Sequence, residues 1–152
     1  MSLMSSLNIS ASGMSAQRTR MDIISQNVAN VNTTRDENGD VYYRQTVVFA
    51  EKKDTTFDNV LRSMNTGISR NTTKAGSGVK ITSIVEDHVT SMRTVYEPSH
   101  PDADEDGYVT YPNVNTVTEM TNLIDATRAY EANVTAFNAT KNMALKGLEL
   151  GK

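Results

Sequence analysis

The sequence contains no cysteine and no tryptophan, and it has only three prolines and three phenylalanines among its 152 residues. Without cysteine there is no disulfide framework, no thiol nucleophile and no cysteine-ligated metal. A mean hydropathy of −0.46 and the shortage of large aromatic side chains leave little material for a large hydrophobic core. The chain is therefore polar for a compact globule of this length.

Membrane spans and cleavable export signals are also lacking. No apolar run approaches the length of a membrane span. The first 17 residues, MSLMSSLNISASGMSAQ, lack the basic start and the continuous apolar stretch of a signal peptide. The net charge of −3 argues against nucleic acid as the main partner. We therefore expect no membrane insertion, and either a cytoplasmic location or export by a route that reads no cleavable signal.

Groups suited to catalysis are scarce. His88 and His100 are the only histidines, and Ser99, His100 and Asp102 are neighbours in sequence alone, which says nothing of their geometry. The glycine-rich phosphate loop and the HExxH and GxSxG patterns do not occur. We therefore expect no enzymatic activity, no cofactor and no small-molecule substrate, because a catalytic site needs several groups that converge in one pocket.

One acidic loop matches half of a calcium site. In DADEDG, Asp102, Asp104, Asp106 and Gly107 fit the first half of an EF-hand loop. Position 12 of that loop is Asn113, whose neutral amide cannot replace a bidentate carboxylate. The pattern also fits an Asp-Gly turn, in which the carboxylates cap their own backbone and glycine supplies a positive φ. We favour the turn and predict no metal site, with the three aspartates as weak calcium candidates.

The two ends of the chain share a heptad period, because apolar residues recur there at alternating spacings of three and four. These seam residues are Leu3, Leu7, Met14, Met21, Ile24, Val28 and Val31 at one end, and Met120, Leu123, Tyr130, Val134, Phe137 and Leu148 at the other. The period predicts two long helices that pack as a coiled-coil-like unit, with the seam residues as an assembly interface. Ser10, Gln17 and Gly13 weaken the first seam. Thr116 and Glu119 predict a capping box at the start of the second helix.

The middle of the chain has the composition of strands and loops. Residues 41–50 are rich in Tyr, Val and Thr and predict a strand, and residues 78–98 predict one or two more. Between them, residues 57–64 fit a short amphipathic helix. Residues 69–78 have the composition of a flexible loop.

The predicted fold is α+β, with long terminal helices and a small β-rich domain inserted between them. The N-terminal helix occupies residues 1–32, the β-rich domain residues 33–113, and the C-terminal helix residues 114–152. Two isolated helices bury too little apolar surface to offset the backbone entropy of ordering them. We therefore expect a subunit of a helical assembly, whose ends, residues 3–31 and 117–148, fold only on assembly.

Three segments resemble one family of known sequences. SAQRTRMDIISQNVANVNTT, residues 15–34, is similar to the N-terminal signature of flagellar axial proteins, which are rod, hook and hook-associated subunits. VYEPSHPDADEDGYVTYPNVNTVTEM, residues 95–120, resembles proximal-rod members of that family. ATRAYEANVTAFNATKNMALKGLELG, residues 126–151, resembles their C-terminal helix, so that the resemblance extends over nearly the whole chain.

The resemblance implies a structural role in the bacterial flagellum. Such proteins are exported through the flagellar type III apparatus, and they assemble with copies of themselves and with other rod subunits into the basal-body rod. The rod is the drive shaft that transmits torque from motor to hook outside the cytoplasmic membrane, and the terminal helices form its inner layer around the export channel. Two alternatives are a calcium-binding module and another secreted coiled-coil interaction module.

Overall fold

Two long helices flank four short strands in this computed structural model, which describes residues 3–35, 39–52 and 77–149. In chain order the elements are α1 (Leu3–Ala29), β1 (Gln45–Glu51), β2 (Val79–Glu86), β3 (Arg93–Tyr96), β4 (Tyr108–Tyr111) and α2 (Thr116–Glu149). The α+β class and the two long terminal helices are therefore confirmed. The helix predicted in residues 57–64, and most of the loop predicted in residues 69–78, lie outside the described residues.

The two helices pack against each other in antiparallel orientation. Near one end of the pair, Asn27 of α1 contacts Glu119 of α2. Nearer the N-terminus of α1, Gly13 lies against Asn133 of α2. A Cβ atom at position 13 would lie 2.7 Å from the Asn133 Oδ1 atom. Gly13 therefore has a packing role, because it lets the α2 side chain approach the α1 backbone closely.

Both inner helix ends differ from the sequence prediction by a short distance. The seam on α1 was predicted to run to Val31, but the helix ends at Ala29 and Val31 lies in the following turn. On α2 the capping residue is Asn115, whose Oδ1 accepts hydrogen bonds from the N–H groups of Val117 and Thr118 at 3.0 and 3.3 Å. The predicted Thr116–Glu119 capping box is therefore wrong, since an asparagine one residue earlier satisfies the free N–H groups of the first turn.

The strands form two separate antiparallel pairs. β1 pairs with β2 from Gln45↔Glu86 to Glu51↔Val79, with an irregularity between Val48 and Phe49. β3 pairs with β4, and the loop between them turns at Gly107, which has a φ of +79°. The segment 78–98 therefore holds two strands, and the strand predicted in residues 41–50 begins only at residue 45.

Within the described ranges, the buried apolar core is small and centred on α1. Its members there are Ala16, Ile23, Ile24, Val109 and Ala126. Helix α1 packs against α2 on one side and against β1 and β2 on another. This second contact explains why Ala16 and Ile23 are buried although they lie off the predicted seam.

The contact between α1 and β2 is anchored at one serine. Ser12 Oγ donates a hydrogen bond to the Ile9 carbonyl and accepts one from the Val79 N–H at 3.1 Å. Gly78 lies directly against the same hydroxyl with a φ of +110°, so that a larger residue there would collide with α1. Ser12 and Ala16 are one turn apart, which places both on the side of α1 that faces the sheet.

Neither described helix is long and apolar enough to cross a membrane.

Candidate functional site

The predicted seam residues differ widely in burial within the single chain. Ile24 is buried, whereas Leu3, Met120 and Leu148 are exposed, Leu148 to 72%. The remaining seam residues are half-buried, namely Leu7, Met14, Met21, Val28, Val31, Leu123, Tyr130, Val134 and Phe137. The helix pair therefore covers only part of the predicted interface.

An apolar stripe on the outer face of α2 is largely exposed in the single chain. Val117, Met120 and Ile124 are exposed to 74%, 53% and 53%. Their spacings of three and four residues place them on one face of the helix. Glu119 and Ala126, each two residues after a stripe residue and therefore on the opposite side, are completely buried. We call these three residues the outer stripe. Three further apolar side chains near the end of α2 are exposed as well, Met143, Leu145 and Leu148.

A buried polar cluster joins the two helices to the segment that leads into β1. We call this cluster the junction, and it consists of Asn27, Tyr42, Arg44, Asn113 and Glu119. Asn27 is completely buried, and its amide is fully used. Its Nδ2 donates to the Gln45 carbonyl at 2.8 Å and to Glu119 Oε2 at 3.2 Å. Its Oδ1 accepts from the Tyr42 hydroxyl at 2.8 Å and from the Gln45 N–H at 2.9 Å.

The second part of the junction is an ion pair between Arg44 and Glu119. Glu119 Oε1 accepts from both Nε and Nη2 of Arg44, each at 2.8 Å. The Glu119 side chain is 1% exposed and that of Arg44 25% exposed. Charge-assisted bonds of this length are among the strong ones in proteins. The first turn of α2 is thereby tied to a residue 75 positions earlier in the chain.

Asn113 fixes the backbone around Arg44. Its Oδ1 accepts from the Arg44 N–H at 2.9 Å, and its Nδ2 donates to the carbonyls of Asp87 and Thr90 at 2.7 and 3.1 Å. The Arg44 carbonyl in turn accepts from the Asp87 N–H at 2.8 Å. Asn113 therefore joins the segment before α2, the approach to β1 and the turn after β2.

Two ionisable groups at or beside the junction have shifted pKa values. Burial raises the pKa of the Tyr42 phenol above its usual 10.0, and the nearby Glu119 carboxylate raises it further. The pKa of Asp87 is lowered, first by the hydrogen bond from the backbone N–H of Thr90 and then by the one from its hydroxyl. Tyr42 therefore stays protonated as a donor to Asn27, and Asp87 stays ionised as an acceptor in its turn.

Sequence reasoning did not find the junction. It assigned Glu119 to a helix cap and gave Asn27, Tyr42 and Arg44 no role. One signal was present in the sequence, because Asn27 lies four residues after Ile23 and three after Ile24, which places it on their side of the helix, and a polar residue on an inward face needs a partner. The identity of that partner depends on contacts between residues 92 positions apart, as between Asn27 and Glu119.

The acidic loop carries an anchoring contact of its own. Asp102 accepts a hydrogen bond from the Thr34 hydroxyl at 2.6 Å and pairs with Arg35 Nε at 3.3 Å. Asp104 and Asp106 are exposed. Over the described ranges, no three His, Asp or Glu side chains are grouped so as to hold a metal ion. The acidic loop lies between β3 and β4, and the contacts of Asp102 join it to the segment after α1. The calcium-module alternative has no support among the described residues.

Comparison with known proteins identifies the family. The family model described as "Flagella basal body rod protein" matches residues 7–35, and the one described as "Flagellar basal body rod FlgEFG protein C-terminal" matches residues 105–150. The chain is 48% identical to the flagellar basal-body rod protein FlgC of Bacillus subtilis over 97% of both chains. The chain belongs to the FlgC family.

Other FlgC proteins match the chain over its full length. The one from Borreliella burgdorferi is 40% identical over 99% of this chain and 98% of its own, and the one from Salmonella typhimurium is 34% identical over all of both chains. FlgC is a structural rod protein and not an enzyme. The first family match contains Asn27 and the second contains Asn113 and Glu119, whereas Tyr42 and Arg44 lie between the two matched regions.

Proposed function

We propose that this chain is a structural subunit of the flagellar basal-body rod and that it assembles with copies of itself and with other rod proteins through its terminal helices. The family membership supports the rod assignment. The observation that carries the mode of assembly is the outer stripe, because Val117, Met120 and Ile124 form an apolar face on the side of α2 that α1 does not cover. Contiguous exposed apolar faces mark interaction sites.

The energetics favour burial of this face by neighbouring subunits. Complete burial of a Val, Ile or Met side chain contributes ~1.5–3 kcal/mol. The outer-stripe residues are between half and three-quarters exposed, so burial of the exposed parts contributes ~1 kcal/mol or more for each residue. Repeated in every subunit, this contribution favours assembly over the free chain.

We further propose how the subunit is arranged in the rod and how it is exported. In the rod the helices pack in a coiled-coil-like inner layer around the export channel, and the middle segment, residues 33–113, lies outside it. The heptad period at both ends supports this packing. Export takes place through the flagellar type III apparatus. The assembled subunit lies outside the cytoplasmic membrane and transmits torque from motor to hook.

A charge placed on the outer stripe tests this proposal. Ile124→Asp should leave the far-ultraviolet circular dichroism of the purified chain unchanged, because Ile124 is exposed in the single chain. The same variant should abolish swimming in cells that lack their own copy, and it should be absent from isolated basal bodies, because a buried unpaired carboxylate costs several kcal/mol.

The matched control is Thr135→Asp, which adds the same charge three turns further along α2 at an exposed polar position whose hydroxyl bonds only within the helix. Its effect on swimming should be milder. Normal swimming of the Ile124→Asp strain, with the variant present in its basal bodies, would show that the outer stripe is not part of the interface.

A further inference from the structure

The most unusual group in the described part of the molecule is the carboxylate of Glu119. It lies in the first turn of α2 and has no exposed surface, although it is flanked in sequence by the exposed Thr118 and Met120. Burying a carboxylate without a partner is strongly unfavourable. Its position between the helices therefore depends on the groups that reach it.

Both partners of Glu119 come from distant parts of the chain. The Nε and Nη2 atoms of Arg44 bind one carboxylate oxygen, and Asn27 Nδ2 binds the other. Asn27 contributes a single neutral bond at 3.2 Å, so that Arg44 supplies the only positive charge paired with this carboxylate within the described residues. Arg44 belongs to neither helix.

The position of the Arg44 side chain beside Glu119 depends on backbone contacts in the middle segment. Its N–H is held by Asn113 and its carbonyl by the Asp87 N–H, while the next residue, Gln45, is held at both its backbone groups by Asn27. Arg44 therefore reaches Glu119 only when the segment leading into β1 is docked against α1 and against the turn after β2.

We propose that Arg44 controls whether the two terminal helices can pair. The charge of Glu119 keeps the junction end of the helix pair open until the middle segment docks and brings Arg44 into place. Docking of the approach to β1, burial of Glu119 and closure of α1 on α2 are thus coupled through Arg44 and Asn27. This conformational control does not depend on the identity of the assembly that the chain enters.

A double substitution distinguishes neutralisation of the Glu119 charge by Arg44 from a role of Arg44 in packing alone. If Arg44 acts by neutralising Glu119, then Arg44→Met should open the junction end, and addition of Glu119→Gln should close it again. Glutamine keeps the shape of the side chain and removes the charge that needs a partner. If Arg44 acts only through its packing, the second substitution should give no recovery.

The measurement is amide hydrogen exchange of the full-length chain, followed by mass spectrometry in residues 23–29 and 119–127. In the unsubstituted chain these residues should be protected, in contrast to the sequence prediction that residues 3–31 and 117–148 fold only on assembly. Arg44→Met should accelerate their exchange by roughly 100-fold or more, and the double variant should recover at least about tenfold of that loss.

Arg93→Met provides the matched control, because Arg93 is exposed on β3 and its guanidinium lies 5.0 Å over the Tyr111 ring, whereas Glu119 pairs with Arg44. It should leave exchange at the junction unchanged. Equal exchange in the Arg44→Met and unsubstituted chains would overturn the proposal. So would a double variant that exchanges as fast as Arg44→Met, or an unsubstituted chain that shows no protection in residues 23–29 and 119–127.

Discussion

Substitution of Asn27 by alanine is expected to be the most damaging single change at the junction. The side chain is completely buried and makes four hydrogen bonds, two to the Gln45 backbone and one each to Tyr42 and Glu119. Each such bond contributes ~1 kcal/mol net, and a buried partner left unsatisfied costs ~1–3 kcal/mol. The half-buried Tyr42 hydroxyl can turn to water, whereas the Glu119 oxygen cannot.

From these terms we expect Asn27→Ala to lower the free energy of unfolding by ~3–5 kcal/mol. That is a large part of the ~5–15 kcal/mol that holds a typical domain together. The assay is urea denaturation of the full-length chain, followed by far-ultraviolet circular dichroism, which reports on both helices. Asn27→Asp is a useful companion, because it keeps the shape but places a second carboxylate beside Glu119.

The control is Asn30→Ala, one helical turn later. Asn30 donates to the Gln26 carbonyl at 2.9 Å and accepts from the Thr33 hydroxyl at 3.1 Å, and both bonds are local and partly exposed. Surface changes of this kind shift stability by ~0.5 kcal/mol. If Asn27→Ala and Asn30→Ala lower the urea midpoint equally, the reasoning that the junction holds the helix pair to the middle segment is refuted.

Three further predictions concern pH, a buried acceptor and the acidic loop. The pKa of Tyr42 is raised above 10.0 in the folded chain. The contribution of its hydroxyl to the free energy of unfolding is therefore complete below pH 10 and is lost as the pH rises through the folded pKa. Above pH 10, the urea midpoint of Tyr42→Phe should fall less steeply than that of the unsubstituted chain. Gln17 Oε1 is buried without a hydrogen-bond partner among the described residues, so Gln17→Leu should raise the free energy of unfolding by ~1–3 kcal/mol, and an unchanged or lower urea midpoint would contradict this. Replacement of Asp102, Asp104 and Asp106 together by asparagine should leave rod assembly at least partly intact, and chelators should not dissolve isolated rods. Rods that fall apart in chelator would support the calcium alternative.

The sequence by itself determined the helices, most of the strands and the family. Heptad spacing over residues 3–31 and 120–148 is a local property, so it identified α1 and α2 without knowledge of what they contact. The β-branched and aromatic runs located β1, β2 and β3 for the same reason, and Gly107 was correctly placed at a positive-φ turn. Local spacing could also show that polar residues interrupt the seams, but it could not show their partners.

The tertiary structure decided which faces are buried and what the polar residues do. Ala16 and Ile23 are buried off the seam because α1 has a second neighbour, the β1–β2 pair, whose position no heptad pattern encodes. Glu119 does not form the predicted capping box, because Asn115 caps the helix and the half-buried Arg44 offers the carboxylate a stronger partner. These hydrogen bonds join residues 75 and 92 positions apart in the sequence. Residue spacing predicts which side chains are neighbours within one helix or strand, but it does not predict contacts between separate elements.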